Sequence, residues 1–293
     1  MRVTQSMLTG NMLRNLSQSY ERMGKYQDQL ATGKRINRPS DDPVVAMKGM
    51  EYRTNLTEVE QFKRNLSEVY NWMDNSDAAL DEAGQALHRI RELTVQASNG
   101  TYEDGQRSAI AKEISQIRDH LIDIANTRVA GKYIFNGNNT TEAPVMADGT
   151  LAATANDNSV EIEVSKGIKV RTNITPSNVF SQDLFDDLKK LVGELENPSY
   201  TDEEIGDFLS NLDTHMDNTT AERAELGARY NRVEMISDRV AEQEVIASRI
   251  LSDNEDADME RVIIDLKTQE SIHRAALAAG ARIIQPTLMD FLR

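Results

Sequence analysis

The chain contains no cysteine, which excludes disulfides and thiolate-held metals and is compatible with any compartment. Aromatic residues make up only 5% of its 293 residues. With so few, a thick globular core is not expected, whereas abundant Leu, Ile, Ala, Glu, Gln and Arg suit long helices that bury narrow stripes. Long apolar runs are missing too. The opening MRVTQSMLTGNMLRNL has no apolar stretch of signal-peptide length, so export by a cleaved leader is not expected. No segment approaches transmembrane length. Positive charge is also in deficit: the formal net charge of −15 argues against generic binding to nucleic acid or an anionic membrane.

Catalytic patterns are equally scarce. No G-x-S-x-G occurs. Gly33-Lys34-Arg35 lacks the upstream glycine and the trailing Ser/Thr of a phosphate-binding loop, and it follows a helical pattern where that loop needs a strand. His88, His120, His215 and His273 lie far apart, none with a partner one helical turn away. Asp253, Glu255, Asp256 and Asp258 lack the glycine and the terminal Glu spacing of a calcium loop. No catalytic, cofactor or metal site is expected, and the chain does not read as an enzyme.

What the sequence does have is heptads. Leu13, Leu16, Tyr20, Met23, Gln27 and Leu30 follow a 3-4 spacing that puts them on one helical face. The spacing returns without a slip from Val59 through Phe62, Leu66, Val69, Met73, Ser76, Leu80, Ala83, Leu87, Ile90 and Thr94 to Ala97. At helical rise that stretch spans roughly 58 Å. Asn99-Gly100 reads as its stop. Ile110, Ile114, Ile117, Leu121 and Ile124 form a return helix, and a box at Thr201 and Glu204 opens another long one. That helix carries a stripe from Ile205 through Leu212, Arg223, Leu226 and Val233 to Leu251, and a polar break follows at Ser252–Asp256. A final run carries Met259, Val262, Leu266, Ala276 and Ile283, with Pro286 near its end.

Between residues 131 and 178 the heptads vanish. Val160–Val164 and Ile168–Ile174 alternate apolar and polar around Ser165-Lys166-Gly167, which predicts a hairpin with a three-residue loop. The fold expected is mainly α: an elongated antiparallel long-helix coiled-coil bundle with paired terminal helices and a small inserted β-rich domain. Its parts are 1–42 with 252–293, 43–130 with 179–251, and 131–178.

The two ends mirror each other. Residues 1–42 carry net +3 and residues 252–293 net −3. Each is a helix-length arm set off by a short polar break, and each has one apolar stripe, too little to bury alone. Together and beside neighbouring copies they would make a continuous core, so Leu13, Leu16, Tyr20, Met23, Leu30, Met259, Val262, Leu266, Ala276 and Ile283 are the candidate assembly seam. The stretch Gly33, Lys34, Arg35, Arg38, Pro39, Asp41, Asp42 and Pro43 reads as a connector, with Gly33 as helix C-cap, Asp42 as N-cap and Pro43 at the first helical position.

The segments ATGKRINRPSDDP (31–43), GKYIFNG (131–137) with Thr140 to Pro144 after it, ELGARYNR (225–232) and the ending Phe291-Leu292-Arg293 resemble the hook-associated protein 3 family of bacterial flagellar axial proteins. Flagellins share the R-I-N connector and the Leu-Arg finish, but Pro39 and Pro43 stand where they usually carry small residues. The resemblance implies an inner domain of paired arms, a long-helix domain and an outermost β insertion. It further implies self-assembly into a ring, with hook-associated protein 1 and flagellin as neighbours. It also implies a cytoplasmic export chaperone at the C-terminal arm and passage through the flagellar type III apparatus to the outside of the cell. A flagellin filament subunit and a non-flagellar coiled-coil scaffold remain the alternatives.

Overall fold

A computed structural model describes residues 5–98, 104–196 and 202–284. Long helices dominate it: α1 (Gln5–Thr32), α2 (Pro43–Ala97), α3 (Asp104–Ala125), α5 (Gln182–Glu196), α6 (Asp202–Glu255) and α7 (Met259–Ile284), with α4 (Pro176–Val179) a single turn. The stop expected at Asn99-Gly100, the residue Thr201, the side chains of Glu204, Ile205 and Ile283, and everything from Gln285 onward lie outside the described residues. The chain packs as two units, Met1–Glu58 with Gln243–Arg293, and Val59–Glu242.

The larger unit is built on the heptads of α2. Val59, Leu66, Val69, Met73, Ser76, Leu80, Ala83, Leu87, Ile90, Thr94 and Ala97 are all buried, and Phe62 is half-buried. Trp72, Ala79, Ala86 and Leu93 add a second buried stripe, so α2 is covered on more than one side. Ile114 and Leu121 from α3, Leu184, Leu188 and Leu191 from α5, and Leu212, Leu226 and Val233 from α6 complete this core. On α6 the seam departs from the heptad at one place. Arg223 is exposed and bridges Asp77, at 2.8 Å, and Asp81 of α2. Its neighbour Glu222 is the buried residue, accepting hydrogen bonds from Asn178 Nδ2 at 2.6 Å and the Thr175 N–H at 3.3 Å.

Among the described residues, the β-strands form two short antiparallel hairpins, β1 (Arg128–Val129) with β2 (Lys132–Tyr133) and β3 (Glu161–Ser165) with β4 (Ile168–Arg171). The second hairpin turns on two residues, not three. Ser165 pairs with Ile168 across Lys166-Gly167, and a bulge between Glu163 and Ser165 absorbs the extra residue. Gly167 takes φ +74°, the left-handed conformation such a turn requires.

The GKYIFNG segment explains itself in this unit. Ile134 and Phe135 are buried, Phe135 against Phe180 with ring centroids 5.0 Å apart. Buried Asn136 donates to the Glu142 carbonyl at 3.0 Å and accepts the Asn156 N–H at 3.2 Å. ELGARYNR supplies Arg229, which donates to the Asn173 carbonyl at 2.9 Å. Both motifs tie residues 131–178 together or to α6.

Candidate functional site: the paired terminal helices and their joint

In the smaller unit α1 and α7 run antiparallel, with Met12 beside Gly280 and Ser19 beside Gln269. The faces that meet are Met12, Leu16, Ser19, Met23 and Tyr26 on α1, and Val262, Leu266, Gln269, His273 and Ala276 on α7. Both follow 3-4 spacing, but the seam is partly polar. Gln269 Nε2 donates to Ser19 Oγ at 2.7 Å inside it, and such a bond fixes register more than it adds stability.

Of the seam candidates, Leu16, Met23, Val262, Leu266 and Ala276 face the partner helix. Leu13, Leu30 and Met259 do not: they are exposed. Tyr20 lies at the edge, 66% exposed but with its ring centroid 6.2 Å from that of His273 on α7. These four have company. Among the described residues, every exposed large hydrophobic except Val95, Met146 and Met235 belongs to this unit. On α7, Ile263, Ile264, Ile272 and Leu277 are exposed as well, so this helix is apolar on nearly all sides. Such a helix is one that gets buried on all sides.

Close packing is greatest where Met12 lies over Gly280. A Cβ there would come within 1.6 Å of Met12 Cε and 2.7 Å of its Sδ. The methionine tip can swing aside for one methyl, and Gly-to-Ala gains roughly 1 kcal/mol of helix propensity. Gly280→Ala is therefore expected to be near neutral. Gly280→Ile has no such escape and is expected to part the arms, raising amide exchange across residues 9–26 at least tenfold.

The connector folds back on the break between α6 and α7. Gly33, at φ +68°, ends α1 with its N–H on the Gln29 carbonyl at 2.9 Å. Asp42 Oδ1 accepts the N–H groups of Val44 and Val45, each at 3.1 Å, and so caps α2 ahead of Pro43. Asp41 Oδ2 accepts the Arg38 N–H at 3.1 Å, closing the turn that holds Pro39. The sequence placed a polar break at Ser252–Asp256, but α6 persists to Glu255, because the Asp256 N–H still reaches the Ser252 carbonyl at 2.8 Å. Asp258 then caps α7 by accepting the Arg261 N–H at 3.1 Å.

Backbone and charge lock the two breaks together. The Arg35 N–H donates to the Glu255 carbonyl at 2.6 Å, and the Ala257 N–H to the Gly33 carbonyl at 2.9 Å. Lys34 Nζ lies 2.7 Å from Asp256 Oδ1 and 3.7 Å from Glu255 Oε2. Arg53 of α2 reaches the same Glu255 oxygen at 2.7 Å. Glu255 is 5% exposed, and Gly49 of α2 packs directly on its carboxylate. Arg35 and Arg38, by contrast, are exposed and form no ion pair with any described residue. The sequence named the connector residues and the polar break that holds Glu255, but showed nothing of Arg53 and Gly49 meeting that carboxylate. Nothing in heptad spacing marks a glycine in a helix as the floor under a distant carboxylate.

The Lys34 hydrogen bond, and then that of Ser252, hold the Asp256 carboxyl below its usual range, while Asp256 raises Lys34. A depressed carboxylate stabilises the fold above its unfolded pKa and loses that contribution as pH falls through the folded one. The latch is thus expected to be complete at neutral pH and to open in acid, below the ordinary aspartate range near 3.8. The check is urea unfolding of wild type against Asp256→Asn from neutral pH into acid, whose difference should hold above the ordinary aspartate value and shrink only as pH falls below it.

Residues 3–140 match the bacterial flagellin N-terminal helical region and residues 209–292 the bacterial flagellin C-terminal helical region. The chain is 26% identical to flagellar hook-associated protein 3 of Escherichia coli (strain K12), over 95% of this chain and 96% of that one. It is also 26% identical to the flagellar filament 30.7 kDa core protein of Treponema maltophilum, over 87% of this chain and 86% of that one. Among solved structures, Bacillus cereus FlgL superposes with a TM-score of 0.60 at 24% identity, over 69% of this chain and 99% of that one. The flagellar junction protein FlgL from Legionella pneumophila gives 0.58 at 15% identity, over 71% and 99%. Both share the fold.

Paired terminal helices, apolar on their outer faces and joined to a mainly helical body, make this a structural protein of the bacterial flagellum and not an enzyme. The chain belongs to the bacterial flagellin family, with both its N-terminal and its C-terminal helical regions matched.

Proposed function

We propose that this chain joins the flagellar hook, through hook-associated protein 1, to the flagellin filament, assembling as a ring through its terminal helices. The observation that carries the reading is the concentration of exposed large hydrophobics in the smaller unit, on α1, α7 and the adjoining ends of α2 and α6. Apolar patches of this extent on a soluble chain mark protein contact. The arms, 1–42 with 252–293, form the inner domain in this reading. Residues 43–130 with 179–251 form the long-helix domain, and 131–178 the outer one. Before assembly, the many-sided apolar surface of α7 calls for a cytoplasmic chaperone, and a chain without cysteine suits unfolded export to the cell exterior without a cleaved signal.

A second reading, a filament subunit, is favoured by the equal identity to a Treponema filament core protein. Pro39 and Pro43 in the connector support the junction. Deleting the gene separates the two, with hooks imaged by electron microscopy and flagellin assayed in the medium. Bare hooks with flagellin shed into the medium are expected. Bare hooks without shed flagellin would make the chain the filament subunit, and normal filaments would sink both readings.

A further inference from the structure

We infer that copies of this chain meet head to tail at the joint, Arg35 and Arg38 of one copy against Asp253 and Glu260 of the next. The inference rests on the assembly reading above and names the contact that sets neighbour register within it.

The arginine side is the groove where the connector folds over α1. Glu21, Lys25, Asp28 and Asp41 line it with Arg35 and Arg38, above the floor left open by Gly24, so its charges balance overall and the contact rests on the two arginines themselves. Each of the three α1 residues Glu21, Lys25 and Asp28 stands two positions after one that touches α7: Ser19, Met23 and Tyr26. Two residues are about 200° of helix, so the groove lies on the face opposite α7. Both arginines are exposed there without an ion pair to any described residue, whereas Lys34 between them and the break is already paired.

The acidic side lies behind the break. Asp253 stands two positions before Glu255, which faces Arg53 and Gly49, and Glu260 two before buried Val262. By the same rotation both carboxylates point away from α2 and α1. Both are exposed and make no ion pair with a described residue. Arg249 and Arg261 are also exposed on this stretch, but with Asp258 the carboxylates remain in excess.

Level decides what these faces can do. The connector and the break are bonded to each other through Arg35–Glu255 and Ala257–Gly33. The unpaired arginines and the unpaired carboxylates therefore sit at the same height along the arm pair, on opposite sides. A rotation about an axis parallel to the arms brings one face onto the other in the next copy. That contact is heterologous, and it repeats until the rotation closes. Exposed charge pairs of this kind select register and orientation more than they add affinity, which the neighbouring apolar residues supply.

Charge exchange tests the pairing in cells that carry the full-length chain as their one copy. Arg35→Glu with Arg38→Glu, and separately Asp253→Arg with Glu260→Arg, are each expected to cut filaments per cell at least tenfold. The fourfold variant carrying all the exchanges is expected to restore them. Either double variant with a normal filament count, or a fourfold variant no better than the doubles, overturns the inference. Because the chain has no cysteine, cross-linking checks the contact without relying on charge variants that fail to fold or to leave the cell. Copies bearing only Arg38→Cys and copies bearing only Glu260→Cys, made together, should give a heterodimer when isolated flagella are oxidised. No heterodimer in flagella containing both, or a cross-link to a different protein, overturns it. A wild-type chain that fails to restore filaments to a deletion strain would strike the assembly reading instead.

Discussion

Replacing Tyr20, Ile264 and Ile272 by glutamine is expected to leave the subunit folded and to abolish its incorporation into the flagellum. All three are exposed, Tyr20 to 66% and Ile264 to 64%, and the ring contact given up within the subunit is the edge contact of Tyr20 with His273 at 6.2 Å. Exposed substitutions of this kind usually move stability by no more than about 0.5 kcal/mol each. Burying the exposed part of each side chain against a neighbouring copy contributes on the order of 1 kcal/mol. Three together come to roughly 3 kcal/mol per contact, or about a hundredfold in affinity. An assembly repeats that loss at every neighbour. The experiment measures thermal unfolding of the purified variant beside filament number in a complemented deletion strain. Unchanged melting with bare hooks is the expected pair of results. Normal filament numbers would show that these side chains face solvent in the flagellum, and the assembly surface would have to be sought elsewhere.

Most of the body was legible in the sequence because a long helix packed inside one chain must repeat its apolar residues at 3-4 spacing. α2 shows this plainly: Val59, Leu66, Val69, Met73, Leu80, Leu87 and Ile90 fall on the expected stripe and are buried. The hairpin of β3 and β4 was legible for the matching reason, its alternation of period two. Its turn length was not, because a bulge changes the count without changing the pattern. β1 and β2 were missed, since two-residue strands carry no periodicity at all.

The arms were harder to read. The most apolar stripe of α1 runs through Leu13, Tyr20 and Leu30, yet in this fold that stripe is exposed, with the Tyr20 ring reaching α7 only at its edge, beside His273. The face against α7 includes Ser19, Gln29 lies buried beside it, and Gln269 lies opposite Ser19. In a monomeric globule, hydrophobicity identifies the face turned inward. In a chain that assembles, the apolar residues are shared between the intramolecular seam and the surface kept for neighbours, and spacing alone does not say which is which. Leu16 and Met23, between the two stripes, serve the inner one. The latch was illegible for another reason. Lys34, Arg53, Glu255 and Asp256 are drawn together from segments some two hundred positions apart, and nothing local records the pairing.

Gly49→Val is expected to open that latch and to destabilise the smaller unit by about 2–3 kcal/mol, in the range of overpacked sites. A Cβ at position 49 would lie 2.6 Å from Glu255 Oε1 and 3.4 Å from Asn254 Nδ2. The carboxylate cannot simply retreat, because Arg53 holds its other oxygen at 2.7 Å and the residue is almost wholly buried. Helix propensity works the other way, since leaving glycine gains up to about 1 kcal/mol in a helix interior, most of it for alanine. Gly49→Ala should therefore lose less than Gly49→Val, whose second methyl meets the same wall. Exchange of the Arg35 and Ala257 amides reports the latch directly, because both hydrogen bonds cross the two breaks. Removing the obstacle supplies the control. In Gly49→Val with Glu255→Ala the clash is gone but Arg53 and Lys34 have lost Glu255, so the double variant should cost less than the two single losses added together. Strict additivity would mean that Gly49 and Glu255 act independently, and the glycine would have to be explained by something other than the carboxylate above it.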